Sequence, residues 1–303
     1  MHRAFRTAVF NMSQRAAPMG QRVFPLVAES PSRATLAGVL KRWPNLWGMF
    51  DDGEYAAATR QAYRHAFPAE DAETFTTHWI ASRGEHLAAS MVHSARVTAG
   101  RRSSLVDADS GIKIAGGRPC VIALLHYSID PVVTLAVIFA NPARSFRCPL
   151  FPLQPGIEDD RALWLTRAKI PPAVEKTLLP VTASSWLIAA RSHVERGGDV
   201  LIAMDAPFDR RRHYGTSLNI GQTTMPMASS IEILSQTVDA RLLFAWPELR
   251  PGKAWVLHVD AVGDTRELAS AASRWIERNR LSWAGWPYLR WRETAVSMRR
   301  TFA

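Results

Sequence analysis

The stretch that most constrains the fold is 119–140, PCVIALLHYSIDPVVTLAVIFA, an apolar run interrupted once, around His126 and Asp130. Residues 121–125 are apolar, include β-branched side chains and are too few for a helix, so they predict a buried strand. After Asp130 the apolar run resumes at a proline, which suits the first turn of a helix, so 131–140 predicts a buried helix. His126 and Asp130 therefore lie in the predicted turn between a strand and the following helix, which is where ligands bind in α/β sheets.

His126 and Asp130 are the first candidates for chemistry. A carboxylate that accepts one ring N–H of a histidine fixes the tautomer and leaves the other nitrogen free to act as a base. The alternative is structural: His126 closes the strand, and Asp130 caps the helix or lies in its first turn. The residues alone leave both interpretations open.

Composition narrows the class of protein. The chain has 303 residues, of which 47% are hydrophobic, enough for a sizeable core, and this excludes a wholly disordered chain. Lys and Arg outnumber Asp and Glu, 37 to 27, which gives a net charge of +10. The surface should therefore attract polyanions such as phospholipid headgroups, nucleic acid, phosphopantetheine carriers or acidic proteins.

Cysteine usage and hydropathy bear on the compartment. Cys120 and Cys148 lie in or beside apolar runs without metal-ligand spacing, which predicts buried thiols in a reducing compartment. The N-terminus has no apolar core of signal-peptide length, and the longest apolar run contains His126 and Asp130. We therefore expect a cytoplasmic protein, or one held peripherally on the cytoplasmic face of the inner membrane.

The rest of the chain alternates short apolar runs with helix-forming segments. Residues 1–100 predict a helical N-terminal region, with helices at 54–67 and within 71–99, that packs on a core. Residues 101–303 predict one α/β domain. Its further predicted elements are strands at 146–153, 200–204, 241–246 and 254–259, and helices at 163–179, 184–196, 227–238 and 264–280. This alternation predicts a mostly parallel central sheet flanked by helices.

A second polar group follows the buried run at 200–204. It begins at the end of that run and continues through the arginine-rich segment 206–222, which we expect to be a loop. Guanidinium groups match phosphate oxygens, and a glycine lets the backbone approach a ligand. We predict a substrate-binding group here, consisting of Asp205, Arg210, Arg211, Arg212, Gly215 and Thr216. The alternative of a solvated loop remains open.

Other residues are expected to be structural. His193 and His213 are expected at the surface, and His258, inside an alternating strand, is expected to support the fold. The late tryptophans, among them Trp275 and Trp283, fit core packing better than a membrane interface or an aromatic-lined groove.

The order of these features resembles the lysophospholipid acyltransferase superfamily, and more narrowly its lipid A late-acyltransferase branch. The resemblance covers residues 119–303. It is carried by HxxxD after an apolar strand, by GGDVLIAMD, by NIGQTTMPMASSIEILSQTVDA, by RLLFAWPELRPGKAWVLHV and by the closing helix before WAGWPYLRW. The family signature places an acid four or, more often, five residues after the histidine. Here Asp130 stands four residues after His126, the shorter spacing.

The resemblance implies an acyltransferase-like α/β fold and transfer of an acyl group from an acyl-carrier-protein or acyl-CoA thioester to a hydroxyl or amine of a lipid or small metabolite. His126 would act as general base with Asp130 behind it, without cofactor, metal or covalent intermediate. Consistent with this, the sequence has no Gly-x-Ser-x-Gly elbow, and neither cysteine sits beside an obvious base.

Two features of the sequence also fit other classes of function. A non-catalytic relative that binds acyl chains or an acyl carrier protein is suggested by the shortened spacing to Asp130. Nucleic-acid binding rests only on the basic charge, because no helix-turn-helix or zinc pattern is present, so we expect no nucleic-acid partner.

Overall fold

A computed structural model of the chain describes residues 54–83, 118–125, 146–150, 178–180, 185–205, 216–237, 240–249, 255–287 and 289. The described strands are β1 Cys120–Leu124, β2 Phe146–Leu150, β3 Leu178–Pro180, β4 Asp199–Ala203, β5 Ser217–Ile220, β6 Thr223–Pro226, β7 Arg241–Leu249 and β8 Trp255–Val262. The described helices are α1 Glu54–Ala66, α2 at 72–83, α3 Ser185–Glu195, α4 Ser229–Thr237 and α5 Thr265–Arg278.

Six of these strands form one mixed sheet in the order β3-β2-β4-β1-β7-β8. The pairings from β3 through to β7 are parallel, whereas β8 runs antiparallel to β7. β1 and β4 are buried along almost their whole length, which explains why they read as unbroken apolar runs. The protein is therefore of the α/β class, with β4 at the centre of its parallel part and β1 beside it.

The end of α3 and the start of α5 lie within one residue of the predicted bounds, 196 and 264, because capping residues mark both positions. α3 stops in a Schellman turn, in which Gly197 N–H donates to Val194 at 2.9 Å and Gly198 N–H to His193 at 3.0 Å. Gly197 has a φ of 85°, a conformation that suits glycine. α5 begins after Asp264, whose Oδ1 accepts the backbone N–H of Glu267 at 2.8 Å.

The predicted loop 206–222 is wrong in its last part. β5 begins at Ser217 and pairs antiparallel with β6 through a turn at Gly221, which has a φ of 55°. Leu218 and Ile220 point into the core while Ser217 is exposed, which is a half-buried alternation of only four residues. So short a pattern among polar residues did not stand out from a loop.

Other predicted bounds also need correction. The helix predicted at 163–179 is wrong at its last two residues, because Leu178 and Leu179 pair with β2 as the start of β3. The predicted helix at 227–238 is observed as α4, and the strand at 254–259 extends to Val262 as β8. The helix predicted at 131–140 lies outside the described residues.

The structure tests the predictions made for His193 and His258. His193, expected at the surface, is buried: a Cβ added to Gly198 would lie 2.1 Å from its Nε2 atom. The structural role expected for His258 fits the observed contacts, since its ring stacks on Trp246 and its Nε2 lies 2.7 Å from Glu248 Oε2.

The N-terminal helices α1 and α2 pack against the C-terminal tryptophans. The ring of Trp286 contacts Tyr63, Phe67 and Phe75 at centroid distances of 5.3, 6.1 and 5.4 Å, in edge-to-face arrangements. Trp283 is also fully buried, at 5.0 Å from Trp286. Together with the burial of Trp275, these contacts confirm core packing for the late tryptophans that the structure describes.

A polar network closes the outer side of this aromatic cluster. Glu70 accepts hydrogen bonds from the Tyr63 hydroxyl and from Arg280, whose Nη1 lies 2.6 Å from Glu70 Oε1. These bonds, first from Tyr63 and then from Arg280, hold the pKa of the Glu70 carboxyl below its ordinary value. Burial, with the bond to Glu70, raises the pKa of Tyr63.

No helix among the described residues is long and apolar enough to cross a membrane. Cys120 is buried and forms no disulfide, as expected for it, whereas the side chain of Cys148 is not among those described. The division of the chain at residue 100 stays a prediction.

Candidate active site

The central edge of the sheet is formed by the carboxyl ends of β1 and β4. The two strands pair in register, with Leu124 opposite Ala203. Beyond this pair the Met204 N–H donates to the Leu124 carbonyl at 2.7 Å, so the chains stay side by side as they leave the strands. Leu125 and Asp205, the last described residues of the two exits, are both buried.

The connections of the chain diverge at this pair of strands. Within this sheet, the strand that follows β1 is β2, on the far side of β4, and the strand that follows β4 is β7, on the other side of β1, which the chain reaches through β5 and β6. In open α/β sheets, ligands bind beyond the carboxyl ends of strands at such points of divergence. The topology thus marks the exits of β1 and β4 as the candidate site.

Asp205 is held at this edge by a tryptophan from the C-terminal segment. The residue is 3% exposed, and its Oδ2 accepts the indole N–H of Trp283 at 2.8 Å. A buried carboxylate requires such donors, because the loss of hydration is costly. Trp283 is in turn tied to α2, since its carbonyl accepts the indole N–H of Trp79 at 2.8 Å.

The start of α4 and the start of β5 reach the same edge. Ala228 N–H donates to the Met204 carbonyl at 2.9 Å, and Met227 N–H donates to the Thr216 carbonyl at 3.0 Å. Two main-chain hydrogen bonds therefore connect Thr216, through 227–228, to the residue before Asp205. Of the predicted substrate-binding group, Asp205 and Thr216 are brought to one region of the fold.

The remaining predicted site residues lie outside the described part of the chain. They are His126, Asp130, Arg210, Arg211, Arg212 and Gly215. His126 follows buried Leu125 directly in the sequence, and Gly215 directly precedes Thr216. Their roles stay predictions.

A polar cleft next to Thr216 was not predicted from the sequence. It lies between β5 and α5, has a volume of about 380 Å³ and is lined by hydroxyl, amide and guanidinium side chains and by the carboxylate of Glu277. Among the lining residues are Thr216, Ser217, Asn219, Arg266, Ser270 and Arg274. The available signal was the spacing of Arg266, Ser270 and Arg274 by four residues, which places the three on one face of a helix.

Sequence reasoning also missed Trp283 as a partner of Asp205. Its only signal was an aromatic residue in a Trp-rich segment, which predicts burial and not a contact 78 residues away. Within the described ranges, no group of three or more His, Cys, Asp or Glu side chains is placed to hold a metal ion.

Comparison with known proteins identifies no family for this chain. No protein-family model matches the chain, and no curated protein matches it.

Proposed function

We propose that the protein is an acyltransferase that moves a fatty acyl group from an acyl-carrier-protein or acyl-CoA thioester to a hydroxyl or amine of a lipid or small metabolite. The observation that supports it most is the paired exit of β1 and β4. One exit is followed in the sequence by His126, and the other ends at buried Asp205. The fold assigned in this proposal is the acyltransferase-like α/β fold that the sequence resembles.

The proposed chemistry is a direct transfer. His126, oriented by Asp130, takes the proton of the acceptor hydroxyl as its oxygen attacks the thioester carbonyl. The carbon–sulfur bond then breaks, and the thiol leaves with the proton that the histidine returns. General-base catalysis of this kind contributes about 10²- to 10⁴-fold in rate. A thioester is already activated, so no covalent enzyme intermediate is needed.

In this proposal Asp205 and Thr216 form the described part of the substrate-binding edge. The arginines at 210–212, which lie between them in the sequence, bind a phosphate of the donor or of a lipid headgroup. The net charge of +10 favours an anionic partner, either an acidic carrier protein or an anionic lipid surface. We place the protein in the cytoplasm or peripherally on the inner membrane.

A transfer assay tests the proposal. Radiolabelled acyl-carrier-protein and acyl-CoA thioesters of several chain lengths are incubated with total lipid and with soluble metabolite extracts. We expect labelled product with the wild-type protein and at least about 10²-fold slower product formation with His126→Ala, and the product identifies donor and acceptor class together. Equal product from both proteins would overturn the role of His126. Absence of transfer from every donor, with retained binding of the thioesters, would instead support the non-catalytic binding relative.

A further inference from the structure

The polar cleft between β5 and α5 has the composition of an anion site. Two exposed arginines of α5, Arg266 and Arg274, line it on one side, and Thr216, Ser217 and Asn219 line it on the other. Arg274 Nη1 donates to the Ser270 hydroxyl at 2.7 Å, which directs this guanidinium along the helix toward Arg266. Eight residues of helix separate the arginines by about 12 Å, and Ser270 stands midway.

Two carboxylates lie near these arginines, and one of them, Glu277, lines the cleft itself. Glu267 Oε2 accepts the Gly263 backbone N–H at 2.6 Å, and Glu277 Oε1 accepts that of Gly221 at 3.3 Å. In the described part of the chain, no carboxylate forms an ion pair with Arg266 or Arg274. Both guanidinium groups therefore line the cleft without an ion pair to any carboxylate that the structure describes, an arrangement that favours a phosphate ligand.

The cleft shares Thr216 with the candidate active site. Thr216, which lines it, accepts the Met227 N–H through its carbonyl, and the next residue, Ala228, bonds to Met204 at the exit of β4. A ligand that reaches from the sheet edge into the cleft would pass Thr216. An extended molecule with a reactive end and a phosphate some distance away would reach both places.

We propose that the cleft binds the phosphate of the phosphopantetheine arm of the acyl donor, the chemical group that acyl carrier protein and CoA share. This inference rests on the proposed acyltransferase function and deepens it. It assigns Arg266 and Arg274 as donor-binding residues, which neither the sequence pattern nor the family resemblance had singled out.

Calorimetric titration with 4′-phosphopantetheine tests the inference without turnover. The wild-type protein is compared with the double variant Arg266→Gln/Arg274→Gln. The control is Arg278→Gln, which removes one positive charge from an exposed residue of the same helix that does not line the cleft. We expect about tenfold or greater weakening in the double variant, the size of a lost charge-assisted hydrogen bond, and no change in the control. Circular dichroism of each variant verifies folding.

The arms of the titration distinguish the sources of phosphate. Pantetheine without phosphate should bind at least about tenfold more weakly than 4′-phosphopantetheine, for the same reason. Equal affinity for the two compounds, or unchanged affinity in the double variant, would overturn the inference. Inorganic phosphate that binds as tightly as 4′-phosphopantetheine would show a general anion site and would overturn the assignment to the donor.

The outcomes separate this inference from the proposed function. Arginine-dependent binding without any acyl transfer would contradict the function and leave the phosphate site standing. Transfer by the double variant with a wild-type KM for the donor would contradict the site and leave the function standing.

Discussion

Trp283 and Asp205 lie 78 residues apart in the sequence, yet the Trp283 indole N–H donates to Asp205 Oδ2 at 2.8 Å. Both side chains are buried. The bond joins the carboxyl edge of the sheet to the C-terminal segment, and through Trp79 to α2. The N-terminal helices and the candidate active site are therefore connected through Trp283 of the C-terminal segment.

A double-mutant cycle measures this bond. Trp283→Phe removes the indole donor, and Asp205→Asn keeps an acceptor but removes its charge. Hydrogen bonds to charged groups contribute about 1.5–3 kcal/mol and neutral bonds about 0.5–1.5 kcal/mol, so Trp283→Phe should cost about 1 kcal/mol less in the Asp205→Asn variant than in wild type. Urea unfolding of the four proteins gives the coupling. If the losses of unfolding free energy in the two single variants added up to that of the double variant within about 0.3 kcal/mol, the assigned bond would be contradicted.

The network around Glu70 predicts a pH dependence of stability. Because the folded protein holds the pKa of Glu70 below its unfolded value, the carboxylate stabilises the fold above that unfolded value, about 4.3. This stabilisation is lost as the pH falls through the lower, folded pKa. The side chain is partly exposed, so the contribution should stay below about 1 kcal/mol.

The measurement compares the free energies of unfolding of wild type and Glu70→Gln. Their difference should be constant from pH 7 to about pH 5.5 and should shrink below about pH 4.3. Glu195→Gln, which removes an exposed carboxylate paired with Arg191 on α3, serves as a control for the charge change. A difference that grows toward low pH would contradict the sign of the shift.

Two glycines form a matched pair for testing how the β5–β6 hairpin docks on α1. Gly197 and Gly221 both have positive φ, but a Cβ at Gly197 meets nothing within 4 Å. A Cβ at Gly221 would lie 2.1 Å from the Ala66 carbonyl oxygen, a main-chain atom that cannot move away by a side-chain rotation. The neighbouring Gln222 N–H donates to this same carbonyl at 2.9 Å.

Alanine at Gly197 should therefore cost about 1 kcal/mol, the penalty of the backbone conformation. Alanine at Gly221 should cost about 1–3 kcal/mol more, because the hairpin must move away from α1. Thermal or urea unfolding of the two variants checks the difference. If Gly221→Ala proved no more costly than Gly197→Ala, the close approach to Ala66 would be refuted.

The parts of the fold that could be predicted are those fixed by local residues. β1 and β4 are buried on both faces, so their apolar runs identify them, and Asp264 and Gly197 mark helix ends by their own hydrogen bonds and dihedral angles. The burial of His193 depends instead on Gly198 leaving room for its ring.

The candidate site likewise combines a feature fixed by local residues with features that depend on tertiary packing. The position of Asp205 at the end of a strand follows from the run before it. Its bond to Trp283, and the meeting of Thr216 with α5 across the cleft, depend on tertiary packing between segments that are distant in the sequence. No periodicity within either segment carries that information.

The measurement that tests the central claim most directly is the single-turnover rate of acyl transfer by wild type, His126→Ala and His78→Ala, with the donor and acceptor that the transfer assay identifies. His78 is an exposed residue of α2 and controls for loss of an imidazole. We predict that His126→Ala lowers the rate by about 10²- to 10⁴-fold while His78→Ala leaves it unchanged. A His126→Ala rate within a factor of about two of wild type would contradict the assignment of His126 as the general base.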